Sequence, residues 1–138
     1  MDTNIKTTVI NLNNCKMYDV FCGRPTKNMK EYKEKFGKFG EWGNPFFVSE
    51  DGDRLTVIYK YTYMILNDKE KLIKIPSLRG KVLACYCIPE PCHVQVLAYL
   101  ANNAKTMVDA YANRRSVDEI IKEIFNYYGW EIPKGYIE

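Results

Sequence analysis

The sequence has a single histidine, two tryptophans and a net charge of only +3, and each shortage narrows what the chain can be. One imidazole cannot build a histidine-rich metal centre. Twenty basic against seventeen acidic residues fall short of a nucleic-acid-binding surface, so nucleic acid is not the expected partner. No apolar run reaches the roughly 18 residues of a membrane span, so no membrane partner is expected. The opening Met1-Asp2-Thr3-Asn4 is unlike a secretory signal. Internal repeats and low-complexity tracts are lacking too. These absences leave one domain of 138 residues, expected in the cytoplasm and long enough to bury its own core.

What is present is 46% hydrophobic residues, an aromatic share of 14% that includes eleven tyrosines, and five cysteines. An odd cysteine count without a secretory signal implies a reducing compartment and argues against a disulfide framework. Cys15 and Cys22 lie near the N-terminus. Cys85, Cys87 and Cys92 crowd against His93.

Residues 7–12 are β-branched and read as a first strand, and residues 17–22 as a second. Gly23-Arg24-Pro25 ends that second strand. Pro25 disfavours helix at Arg24, which sets the guanidinium at a strand end, where it can meet an anion. Residues 26–40 are lysine-rich, with Tyr32, Phe36 and Phe39 at helical spacing, and predict a short amphipathic helix followed by a glycine-flanked segment. Trp42-Gly43-Asn44-Pro45-Phe46 predicts a compact turn with an aromatic wall. The turn Glu50-Asp51-Gly52-Asp53 offers an N-cap for a helix over 54–66, a short helix follows at 69–73, and Pro76 closes it. Residues 80–85 read as a buried strand of a parallel sheet, and 94–103 as a strong helix. Ser116-Val117-Asp118-Glu119 has capping-box spacing and opens a helix with Ile120, Ile121, Ile124 and Phe125 on its apolar face. Gly129 stops it, and Trp130, Ile132, Tyr136 and Ile137 pack the tail back. Strands interleaved with helices predict an α/β fold, a Rossmann-like sandwich with a small, mostly parallel sheet. The expected single domain has a core over 1–103, an insert at 26–41 and a helical extension over 104–138.

The sharpest feature is Cys85-Tyr86-Cys87-Ile88-Pro89-Glu90-Pro91-Cys92-His93, where a strand gives way to a helix. Ligands gather outside the carboxyl ends of such strands, and a helix start favours anions and thiolates. Three readings stay open. Cys85, Cys87, Cys92 and His93 match a Cys₃His zinc set, with Cys15 or Cys22 able to replace one ligand. Alternatively Cys92, as nucleophile, and His93, as base, act on a ligand there. Glu90 and Asp19 are secondary acid–base candidates. The plain alternative is that the cysteines are buried strand residues and His93 caps the helix. Gly23, Arg24, Trp42, Gly43, Asn44 and Phe46 form the expected ligand-binding set: the Arg24 fork for phosphate or carboxylate, the Asn44 amide for a polar group, and Trp42 or Phe46 flanking a ring.

The ordered set Gly23-Arg24-Pro25, Trp42-Gly43-Asn44-Pro45-Phe46, Leu78-Arg79-Gly80-Lys81, Cys85-Tyr86-Cys87, Pro89 and Cys92-His93 resembles domain of unknown function 4326. That family occurs in bacteria, phages and large viruses. The resemblance runs from about residue 8 to 103, with residues 26–41 intervening between the first two motifs. It implies likeness to Rossmann-like nucleotide-sensing and nucleoside-processing domains, a fold-level analogy. The expected function is therefore binding, with or without cleavage, of a nucleotide-derived or other phosphorylated small molecule at the strand ends. The resemblance also implies a phage protein acting on host nucleotide signals. A zinc-stabilised protein-interaction module is the alternative expectation, and a nucleic-acid-binding protein the third. A homo-oligomer is compatible with either of the first two.

Overall fold

A computed structural model describes residues 6–14 and 17–137. Three strands, β1 (Thr8–Asn11), β2 (Val20–Phe21) and β3 (Val82–Cys85), form a parallel sheet in the order β1-β3-β2. Side chains alternate across it, as strand geometry requires. Phe21 and Ala84 face one side with Leu12, where Ile10, Met29 and Tyr32 pack against them. Leu83 and Cys85 face the main core on the other. The expected fold class, α/β with a small parallel sheet and C-terminal helices, is what the chain adopts.

The insert carries only a short helix, α1 (Lys30–Phe36), which buries no residue fully. Its Tyr32 ring meets Phe21 edge-on at 6.0 Å and so covers the outer face of the sheet. The helices α2 (Arg54–Leu66), α3 (Lys69–Leu72) and α4 (His93–Asn102) follow the expected pattern. Asp53 caps α2 by accepting from the Thr56 amide at 2.8 Å.

Residues 104–137 hold two helices, α5 (Ala104–Tyr111) and α6 (Val117–Tyr128). Ile120, Ile121, Ile124 and Phe125 of α6 are fully buried in the same cluster as Leu83 of β3 and Leu97 of α4. Removing any one of them would cost about 2–5 kcal/mol. Gly129 ends α6 in the left-handed conformation, and Trp130, Ile132 and Ile137 pack the tail onto the core.

Candidate functional site

A cavity of about 250 Å³ opens past the carboxyl ends of β2 and β3, at the start of α4. The chain reverses at both strand ends, so Gly23 and Arg24 arrive from β2 and Cys85, Tyr86 and Cys87 from β3. Cys92 and His93 arrive from the first turn of α4, and Asn44 and Phe46 from the compact turn. Four of the six expected ligand-binding residues, Gly23, Arg24, Asn44 and Phe46, therefore meet with the cysteine cluster at one place. Trp42 and Gly43 do not line it.

Trp42 is a core residue, 3% exposed, with the Lys71 ammonium 5.1 Å from its ring and its carbonyl taken by the Tyr61 hydroxyl at 2.8 Å. It cannot stack on a ligand, and Phe46 is the aromatic wall. Gly43 serves the backbone: a Cβ there would lie 1.8 Å from the Phe39 carbonyl oxygen. Asn44 reaches the cavity, but its amide is already engaged. Nδ2 donates to the Val57 carbonyl at 3.2 Å and Oδ1 accepts from the Phe46 amide at 2.9 Å. Its main work is to fix the turn against α2. Asp19 sits at the opposite end of the sheet, accepting from the Val82 amide at 2.8 Å, and Glu90 is exposed outside the cavity. Neither is placed for acid–base work there.

Arg24 lies half-buried with its guanidinium 4.1 Å above the Phe47 ring. Stacking occupies the face of the guanidinium and leaves its N–H edge available. Among the described residues its side chain makes no hydrogen bond or ion pair. A second arginine, Arg54, also lines the cavity, with Nη1 donating to the Pro91 carbonyl at 3.3 Å. In the sequence Arg54 reads only as a helix start. A usable signal was there: a cation in the first turn of a helix opposes the macrodipole and calls for another reason to be present. No carboxylate lines the cavity among the described residues.

His93 is buried against the Tyr61 ring, at 4.6 Å. Its Nε2 lies 2.7 Å from the Cys22 carbonyl, which can only accept, so Nε2 carries the proton. Burial holds the imidazole below its usual pKa and keeps it neutral. The Nδ1 lone pair then faces Cys92 Sγ at 3.6 Å. Hydrogen bonds with Cys85 and Cys87, together with burial, push the Cys92 thiol far up, so this pair rests as thiol and neutral imidazole. The charge belongs to Cys87 instead. Hydrogen bonds from Cys85 and Cys92, then Arg54, hold Cys87 well below the ordinary thiol range despite its partial burial. Cys87, which the sequence suggests only as a metal ligand, is the one thiol of this cluster that is not buried.

The zinc set is brought together only in part: Cys85, Cys87 and Cys92 are hydrogen-bonded to one another, while His93 spends Nε2 on the Cys22 carbonyl. Among the described residues no group of three or more His, Cys, Asp or Glu could hold a metal ion. The physical reason is visible at His93, whose two ring nitrogens are spent on the Cys22 carbonyl and the adjacent Cys92 sulfur. Cys22 is buried and free of disulfide, and Cys15 lies outside the described residues. No helix among the described residues is long and apolar enough to cross a membrane.

The fold and cavity define an α/β domain with an arginine- and cysteine-lined cleft at the strand ends of a parallel sheet. Its family can be stated. The chain belongs to the family described as Domain of unknown function (DUF4326), whose model matches residues 10–103. That stretch runs from within β1 through α4 and carries every residue named as lining the cavity, while α5, α6 and the tail lie beyond it. No curated protein and no solved structure matches the chain.

Proposed function

We propose that the cavity binds the anionic part of a phosphorylated small molecule, nucleotide-derived in the first instance. The observation that carries this reading is the pairing of Arg24 and Arg54 in a cleft whose described lining has no carboxylate. Two guanidiniums in one cleft suit phosphate oxygens in a partly desolvated site. The start of α4 adds a favourable field, and Phe46, Val57 and Ile58 give an apolar wall. The free thiols fit a reducing cytoplasm. A phage protein acting on host nucleotide signals, in an anti-defence role, is the setting in which we place this binding.

The test is thermal unfolding at low salt with inorganic phosphate, pyrophosphate or ribose 5-phosphate. At a hundredfold excess over Kd, linkage stabilises the folded state by about 2.7 kcal/mol, a rise of several degrees in Tm. Arg24→Ala and Arg54→Ala should each abolish most of that rise. No stabilisation by any of the three compounds would overturn the proposal.

A further inference from the structure

A second cavity, of about 300 Å³, adjoins the first and is lined by Phe46, Tyr59, Lys60, Tyr63, Met64 and Tyr136. Phe46 belongs to both. We propose that this aromatic cavity holds the base of a nucleoside phosphate whose phosphate lies between Arg24 and Arg54, an inference that rests on the anion reading above.

The placement follows from α2. Arg54, Val57 and Ile58 line the arginine cavity, and Tyr59, Lys60, Tyr63 and Met64 continue along the same helix into the aromatic one. Tyr59 lies about 7.5 Å and Tyr63 about 13.5 Å along the helix axis from Arg54 and both are turned well round the helix from it, so Phe46, which lines both cavities, marks the passage between them. A ligand joining the two cavities thus needs an anion at one end, a spacer, and an aromatic ring at the other. A nucleoside 5′-phosphate has that order, with ribose as the spacer.

The lining suits a ring rather than a chain. Tyr59 and Tyr63 lie four residues apart with rings 6.4 Å apart and 26° from parallel, and the Tyr136 ring is 4.7 Å from Tyr59. Tyr59 is buried, whereas Tyr63 and Tyr136 remain 49% and 43% exposed. Single exposed aromatics are ordinary, but a group of them around a concavity that continues an anion site is a recognition surface. Lys60 donates to the Asp51 carbonyl at 2.7 Å, with its ammonium 5.9 Å from the Phe46 ring, and among the described residues no carboxylate lines this cavity either. Tyr136 comes from the tail, outside the matched residues 10–103. The base subsite is accordingly a feature that this chain's own C-terminus completes.

The experiment compares AMP and GMP with ribose 5-phosphate by calorimetric titration of the full chain, in the wild type, Tyr63→Ala and Tyr136→Ala. Both variants change exposed side chains and are expected to fold. In the wild type the nucleotides should bind about tenfold or more tightly than ribose 5-phosphate, the scale of base–aromatic stacking. Each variant should lose most of that gap and keep its affinity for ribose 5-phosphate. Equal affinities in the wild type, or a gap that survives both substitutions, would overturn the base subsite and leave the arginine site standing. If none of the three compounds binds, the anion reading fails and this inference fails with it.

Discussion

The ring of His93 donates from Nε2 to the carbonyl of Cys22 at 2.7 Å, tying the first turn of α4 to the end of β2. Both residues are buried, so the bond acts as a brace beneath the cavity. The same ring presents its remaining lone pair to Cys92.

This brace makes folding sensitive to mild acid. Burial lowers the folded-state pKa of His93 from 6.5, so the unfolded chain takes up a proton that the folded chain refuses. Stability is therefore fully present above about pH 6.5 and declines as the pH falls below it. His93→Gln can still donate to the Cys22 carbonyl but cannot titrate. Urea unfolding between pH 7.5 and 5.5 should show declining stability in the wild type and a flatter profile in the variant. Parallel profiles would contradict a neutral, buried imidazole.

Reactivity should single out Cys87. An ordinary thiol gains about twentyfold in thiolate fraction between pH 6.5 and 8. With Cys87 held well below that range by Cys85, Cys92 and Arg54, its alkylation by iodoacetamide should change little over the same interval. In that reaction the sulfur displaces iodide, and peptide mass spectrometry reads the site. Cys87 should be labelled before Cys22, Cys85 and Cys92, of which all three are buried. Cys87→Ser should remove the rapid phase. First labelling at Cys92 would return the nucleophile to the helix start.

Much of this architecture was legible in the residues, for physical reasons that can be named. The β-branched run at 7–12 and the apolar run at 82–85 pair in the parallel sheet, and Ile120, Ile121, Ile124 and Phe125 fall on the buried side of α6. The motifs at Gly23-Arg24, Asn44, Phe46 and the cysteine cluster meet because each sits at a strand end, a helix start or the turn between them. Other features depend on distant partners. A tryptophan reads alike whether it is core or wall, and only the Tyr61 and Lys71 contacts place Trp42 inside. The second strand shrinks to Val20–Phe21 from the six residues its pattern suggested, since Met17, Tyr18 and Asp19 stay exposed ahead of it. Helix α5 carried no clear apolar period, because its buried side includes Thr106 and Asp109, whose partners lie later in the chain.

Those partners give the last prediction. Asp109 is buried and accepts from Arg115 Nε at 2.9 Å, and Arg115 Nη2 reaches Glu123 at 2.6 Å. Glu123 also accepts from the Thr106 hydroxyl at 2.7 Å and from Tyr99. Although burial opposes it, these donors hold the Glu123 carboxyl below its usual pKa. One arginine thus links α5 to α6 through two carboxylates. Lys105 also touches Asp109, but its side chain is 87% exposed and can replace little of that charge. Arg115→Ala leaves two carboxylates facing each other across the α5–α6 junction. Breaking a fully buried pair costs about 3–5 kcal/mol, and the partial exposure of Arg115 reduces this to about 2 kcal/mol. The stability that Glu123 contributes is present above its ordinary pKa of 4.5 and lost as the pH falls through the lower folded value. Chemical denaturation should therefore show the variant about 2 kcal/mol weaker at pH 7, with the difference shrinking towards pH 3. A deficit that stays constant down to pH 3 would mean that Arg115 acts through packing rather than charge.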